Sequence, residues 1–309
     1  MTSLSFGPVV LGGNVFGWTV GPEEAFAVLD AFLEGGGRAI DTADSYVQSV
    51  PGNVGGESES QIGEWLSARG CRDRVDIHTK VHGKRDRPGL GARNIVLAAE
   101  DSLRRLRTDH IDLYYAHRDD PKVPQEEYVV AFDSLVRAGK VREVGASNVS
   151  SPRLRSALEV AATQGLTGFT VAQDQWSLVE RDIERQLVPT LTEHGLVELP
   201  YWSLASGFLT GKYRPGKPVD SARAASAARY LDNPGSAGLL AALDEVAAAH
   251  DSSVTAVSLA WLRAQPTVGA PIASGRTPEQ VATLLSSADV TLTREELDRL
   301  TAASQPYAA

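Results

Sequence analysis

Cysteine is almost absent from this chain. Cys71 is the only one in 309 residues. No intramolecular disulfide or cysteine-built zinc site can form, and a reducing compartment such as the cytoplasm is expected. A single cysteine reads as a small hydrophobe rather than a reactive thiol. An excess of positive charge is also lacking: 30 Lys and Arg stand against 39 Asp and Glu, a net charge of −9, with no extended basic run. Nucleic-acid surfaces are built on clustered cations, so no nucleic-acid partner is expected. A nucleotide ligand needs only one local positive site. No run approaches 18 uninterrupted apolar residues, so no membrane span is predicted. Met1 to Pro8 has neither a basic start nor a long apolar stretch, and no signal peptide is expected.

What is present is alternation. Short apolar runs at 9–11, 38–41, 75–80, 111–116, 142–146, 169–173, 196–201 and 268–272 read as strands. Helical patterns fall between them at 22–34, around Ile62–Leu66, at 95–106, 125–138, 151–164, 182–194, 237–250 with 254–264, 277–287 and 294–303. Such alternation predicts parallel strands joined by right-handed crossovers. Eight units point to a (β/α)8 TIM barrel, one domain over 1–309, with the site at the C-terminal ends of the strands. Residues 214–235 are the one poorly patterned stretch, and their length marks either a binding loop or a mobile one.

Four residues fall at or just past strand ends: Asp41, Tyr46, Lys80 and His117. A phenol near an ammonium can serve as a proton donor, because a neighbouring cation lowers its pKa from about 10. Asp41 can hold the Lys80 ammonium, and His117 can polarise a carbonyl oxygen. Period-2 alternation puts Ala39 and Asp41 on the inner face and Ile40 outside. The same parity puts His78 below Lys80 inside the barrel, where a hydrogen-bonded core histidine is the expectation. His78 and His82 lie about 13 Å apart on an extended chain, too far to share one metal ion. No metal is expected. Gly12-Gly13-Asn14-Val15-Phe16-Gly17 lacks the middle glycine of a dinucleotide fingerprint. The stretch around Gly211-Lys212 is no P-loop, and Gly145-Ala146-Ser147-Asn148-Val149 is no nucleophile elbow.

The strings Asp41-Thr42-Ala43-Asp44-Ser45-Tyr46, Thr79-Lys80-Val81, Asp109 to His117, Gly145-Ala146-Ser147-Asn148, Gln173 to Arg181 and Ala205 to Tyr213 closely resemble the aldo-keto reductase family. They occur in family order from about Val10 to Leu300. The resemblance implies a closed barrel and NADPH-dependent reduction of a small aldehyde or ketone, with Tyr46 as general acid and Asp41, Lys80 and His117 as its partners. It assigns Ser147, Asn148 and Gln173 to the nicotinamide amide and Tyr201 to the nicotinamide ring. Leu204 to Lys212, with the Ser206 and Gly207 amides, falls to the pyrophosphate. Ser274, Arg276 and Gln280 fall to the adenosine ribose phosphate. The Arg276 guanidinium suits a phosphate and favours NADPH over NADH. Trp202-Ser203 follows Tyr201 where the family often has Ser-Pro, and Thr283-Leu284 stands where an acid and an asparagine are common. Phe16 and Trp18, with Tyr46, are expected to form an aromatic pocket wall. Two alternatives accompany this reading: a sugar ketoreductase of secondary metabolism, and a cofactor-sensing regulatory subunit like the potassium-channel β-subunits. The few residues before Val9 leave little chain for the barrel-plugging hairpin found in many relatives.

Overall fold

The structure, a computed structural model, describes residues 2–217 and 219–308. Eight strands form one parallel sheet: β1 Val10–Gly12, β2 Ala39–Asp41, β3 Asp76–Val81, β4 Ile111–Ala116, β5 Val141–Ser147, β6 Val171–Gln173, β7 Val197–Glu198 and β8 Ile272–Ala273. β1 to β7 pair in sequence order, and β1 also pairs with β8. The remaining gap is bridged by the chain leading into β8. Glu198 pairs with Val268, the Gly269 N–H donates to the Glu198 carbonyl at 2.9 Å, and the Ile272 N–H donates to the Pro200 carbonyl at 2.7 Å. The sheet therefore closes into the expected barrel. The last two strands are shorter than the sequence suggests, because this seam is made by irregular backbone.

The helices cover the outside. They are α1 Pro22–Glu34, α2 Glu57–Arg69, α3 Ala92–Leu106, α4 Gln125–Arg137, α5 Ser151–Gln164, α6 Ile183–Gln186, α7 Val188–His194, α8 Ala224–Leu231, α9 Ser236–Ala249, α10 Val254–Arg263, α11 Pro278–Leu285 and α12 Arg294–Ala303. Local chemistry fixes their ends. Pro22 opens α1, where a missing N–H costs nothing, and Glu23 and Glu24 face the positive end of its dipole. Thr293 and Glu296 cap α12 reciprocally. In α3 the residues Ile95, Ala98, Ala99, Ser102, Leu103 and Leu106 are buried at helical spacing against the sheet. The stretch predicted as one helix over 182–194 is two, since Pro189 follows a break at Leu187. Part of 214–235 is not a loop at all: it holds α8. Pro218, within that stretch, lies outside the described residues.

Strand parity sorts the core into two layers. Leu11, Ile40, Ile77, Tyr114, Val144 and Ala172 pack outward beneath the helices. Val10, Ala39, Leu113, Tyr115, Val171 and Leu199 fill the barrel, and Phe6 joins them from below. No hairpin precedes β1 among the described residues; Phe6 packs edge-on to the His78 ring, with centroids 5.8 Å apart. Contrary to expectation, His78 is fully buried with no hydrogen-bond partner at either ring nitrogen among the described residues. Its neighbours Phe6 and Tyr115 present ring surface to it, and burial pushes its pKa down to about 4.

Candidate active site

Asp41 is the last residue of β2, Lys80 the last but one of β3, and His117 follows β4 directly. Inward parity brings them to one end of the barrel, and the turn after β2 returns Tyr46 over them. Lys80 is fully buried. Its ammonium donates to Asp41 Oδ2 at 2.6 Å, to the Thr42 carbonyl at 2.7 Å and to Tyr46 Oη at 2.9 Å. All three of its protons are thus used, the condition under which a buried cation is tolerated. The Tyr46 hydroxyl donates to Asp41 Oδ2 at 3.1 Å. The Gln173 amide donates to the other carboxylate oxygen at 2.9 Å.

The electrostatics differ from the sequence expectation in one respect. The Lys80 ammonium does not bring the phenol's pKa down. Burial and the nearby Asp41 carboxylate push Tyr46 well above 10, because Asp41 largely cancels the field of the cation it binds. Burial likewise lowers Lys80. The phenol is therefore a fully protonated donor at neutral pH. His117 lies edge-on to Tyr46, with centroids 5.9 Å apart. Burial first, then Lys80 and Arg118, hold its pKa well below 6.5, so the imidazole is neutral. Its Nδ1 is buried without a partner, which leaves Nε2 as the nitrogen open to the cavity.

A cavity of about 800 Å³ opens above this cluster and runs across the barrel mouth toward β8. Tyr46, His117, Ser147, Asn148, Gln173, Tyr201, Leu204, Ser206, Gly207, Lys212, Ser274, Arg276 and Gln280 all line it, together with Asp41. Lys80 lies beneath and meets it through Tyr46 and Asp41. Two expected pocket residues fall elsewhere. Phe16 is fully buried in the outer core, since the turn closed by its N–H to the Gly13 carbonyl points its ring away from the cavity. Trp18 stands half-exposed beyond the rim, under the Arg223 guanidinium at 5.8 Å.

The cavity's far end is cationic. Lys212, Arg223 and Arg276 line it, none paired with a carboxylate among the described residues, and Asp41 is the only acid in the lining. Arg223 feels both burial and the like charge of Arg276, a cost that an anion would relieve. Beside them the backbone bends into left-handed conformations at Ala205 (φ 47°), Ser206 (57°) and Gly207 (92°). Of the two amides expected to meet the pyrophosphate, that of Gly207 is instead given to the Leu204 carbonyl at 2.8 Å, because the turn closes on itself, which leaves the Ser206 N–H beside the cations as the one suited to phosphate. Ser274 Oγ donates to Asn14 Oδ1 at 2.7 Å, and the Arg276 N–H donates to Gln280 Oε1 at 2.9 Å. A neutral cluster of amides and a phenol at one end and unpaired cations at the other fit an elongated dinucleotide. The sequence reading missed Arg223 and Asn14. Arg223 sits in the unpatterned stretch; its only signal was being an arginine in a long connection.

Among the described residues no three His, Cys, Asp or Glu side chains are grouped to hold a metal ion, and no helix is long and apolar enough to cross a membrane. The sequence profile of the Aldo/keto reductase family matches residues 8–305. The chain is 31% identical to an aryl-alcohol dehydrogenase of Pestalotiopsis microspora, over 96% of this chain and 79% of that protein. It is 32% identical to the norsolorinic acid reductase stcV of Emericella nidulans, over 96% of this chain and 78% of that protein. An NADP(+) aryl-alcohol dehydrogenase of Phanerodontia chrysosporium is 29% identical over 96% of this chain and 82% of its own length.

Proposed function

The chain belongs to the aldo/keto reductase family and is a nicotinamide-dependent oxidoreductase of the CH–OH/C=O pair; on that premise we propose that it reduces aryl aldehydes or ketones with NADPH, Tyr46 giving the proton. The observation that carries this reading is the 2.9 Å contact of the buried Lys80 ammonium with Tyr46 Oη at the cavity floor. When bound, the dinucleotide supplies the hydride that no side chain can. The protein's part is the proton. Tyr46 turns its O–H from Asp41 to the carbonyl oxygen, and Lys80 backs the phenolate that proton loss would leave. Neutral His117 donates from Nε2 to the same oxygen and orients it.

Ser147, Asn148 and Gln173 are assigned to the carboxamide and Tyr201 to the ring; Leu204, Ser206, Gly207 and Lys212 take the pyrophosphate. Arg276, with Ser274 and Gln280, is assigned to a ribose 2′-phosphate, and Arg223 adds a second guanidinium there. Two unpaired guanidiniums favour NADPH over NADH. The aryl class is supported by the relatives' names and by aromatic lining from Tyr46, Tyr201 and Trp202. The buried single thiol suits a reducing cytoplasm. Neither a sugar ketoreductase nor a regulatory subunit draws support from relatives named as dehydrogenases and reductases.

The test follows NADPH absorbance with substituted benzaldehydes for the parent and Tyr46→Phe, then repeats the parent with NADH. Loss of a positioned acid lowers kcat/KM by roughly 10²- to 10⁴-fold, while NADPH still binds and NADH gives the lower kcat/KM. Equal rates in parent and variant would remove Tyr46 from this role.

A further inference from the structure

Behind the wall formed by Asn148 and Tyr201 lie two carboxylates that no step above uses. Glu198, on β7, is fully buried. Its Oε1 accepts the Asp174 N–H at 2.8 Å, and its Oε2 has no partner among the described residues. Asp174, next after β6, accepts the Asn148 N–H on Oδ1 at 3.0 Å, and its own carbonyl accepts the Tyr201 N–H at 2.9 Å. Asn148 is held at φ 54°, a left-handed conformation that a non-glycine residue keeps only when its surroundings enforce it. From there its side chain ties the site together. Nδ2 donates to the His117 carbonyl at 3.1 Å and to Ser147 Oγ at 2.8 Å, and Oδ1 accepts the Tyr201 hydroxyl at 2.8 Å.

We propose that Asp174 is a positioning residue for the nicotinamide end of the dinucleotide: its carboxylate anchors the Asn148 backbone and, through Asn148, sets His117, Ser147 and Tyr201. This rests on the assignment of Asn148 and Tyr201 to the nicotinamide. A charged acceptor on an N–H gives a stronger bond than a neutral one, so the anchor works best when Asp174 is ionised. Burial pushes Asp174 up to about 7, and burial with the Asp174 charge raises Glu198 well above its ordinary range. The other ionisable groups around it are Tyr115 from β4 and Tyr201 after β7, both raised by burial and by the carboxylates. Arg118 acts on Tyr201. Glu180 and Asp182 line the hollow on Asp174's outer side, occupied by Arg229 and Arg185 respectively.

The test compares two ligands of the full chain across pH 5.5–8.5: NADPH, which reaches the nicotinamide end, and 2′-phospho-ADP-ribose, which lacks only the nicotinamide. In the parent, the preference for NADPH over 2′-phospho-ADP-ribose falls as the pH drops through about 7. Both ligands carry the same 2′-phosphate and pyrophosphate, so their protonation cancels in this ratio. Asp174→Asn lowers NADPH affinity by roughly tenfold at pH 8, leaves 2′-phospho-ADP-ribose within twofold, and abolishes the inflection. Glu198→Gln keeps the acceptor for the Asp174 N–H and retains the inflection. A flat ratio in the parent overturns the proposal even if Asp174→Asn fails to fold, and so does unchanged NADPH affinity in a folded Asp174→Asn. A parent that binds 2′-phospho-ADP-ribose but gains nothing from the nicotinamide overturns the cofactor assignment itself.

Discussion

Two buried bases sit a few ångströms apart in the barrel and are treated in opposite ways. Lys80 is charged and has a partner for every proton; His78, two residues earlier on the same face, is neutral and has none. The difference follows from depth: the carboxylate, carbonyl and phenol are at the mouth, whereas the Phe6 and Tyr115 rings flank His78 below. Keeping His78 neutral has a pH signature. Its folded pKa is about 4 against 6.5, so the unfolded chain takes up the proton first as pH falls. Stability is full above 6.5 and declines between 6.5 and 4, by about 3 kcal/mol in total at ~1.4 kcal/mol per unit. Urea unfolding of the parent and His78→Leu at pH 7 and pH 5 isolates this. The parent should lose about 2 kcal/mol more than the variant between the two pH values. Equal losses would mean His78 has a partner after all. That the four site residues were legible while this one's environment was not has a simple cause. Parity along a strand fixes which way a side chain points, and Asp41, Lys80 and His117 needed nothing more. What lies beside an inward residue depends on the other strands and on Phe6, which no local pattern specifies. Phe16 failed for a related reason: it follows a turn, where parity no longer applies.

Helix packing around the barrel depends on one close approach. Gly63 lies in the middle of α2, where alanine would ordinarily gain about 1 kcal/mol in helix propensity. A Cβ there would stand 2.1 Å from the Arg105 carbonyl oxygen and 2.7 Å from the Leu106 carbonyl carbon. These are backbone atoms at the end of α3 and cannot rotate away, so the steric term outweighs the propensity gain. Gly63→Ala should cost about 2 kcal/mol or more net of that gain, read as a lower urea midpoint with an unchanged slope. The contrasting site is Gly238, exposed near the start of α9, where a Cβ meets nothing within 4 Å. Gly238→Ala should stabilise by up to about 1 kcal/mol. A stable Gly63→Ala would mean that α2 and α3 can slide apart. Elements with strong periodicity, such as α1, α5 and α12, were readable to the residue because capping and burial agree there. Elements set by the fold were not. α8 lacks an extended pattern and is held by aromatic contacts, Tyr230 stacking on Phe208. Glu198 drew no expectation from the sequence, although its place within Leu196-Val197-Glu198-Leu199 was a signal of burial.

The whole barrel is uneven around its circumference. β3, β4 and β5 carry six, six and seven residues, whereas β7 and β8 carry two each. The closing seam rests on a few bonds from Glu198, Gly269 and Ile272. Local opening takes the path of fewest buried bonds, so the barrel should part at the β7–β8 seam well before its β3–β5 side. The seam also holds the acid pair. Asp174 is raised to about 7 and Glu198 well above its ordinary 4.5, so the folded chain binds more protons there than the unfolded one. Their contribution is complete below about pH 4 and is lost as pH rises through 7, the reverse of His78. Between pH 4 and 6.5 the two trends oppose each other, but His78 lies away from the seam. Amide hydrogen exchange, corrected for the intrinsic base-catalysed rate, reads the acid pair directly. Protection at Gly269 and Ile272 should drop between pH 5 and 7 while amides of Tyr114 and Val144 keep theirs. Glu198→Gln and Asp174→Asn, neither of which can ionise at the changed position, should each remove part of the drop. Uniform loss of protection around the ring would show instead that the barrel opens as one unit and that the buried carboxylates do not set its weak point.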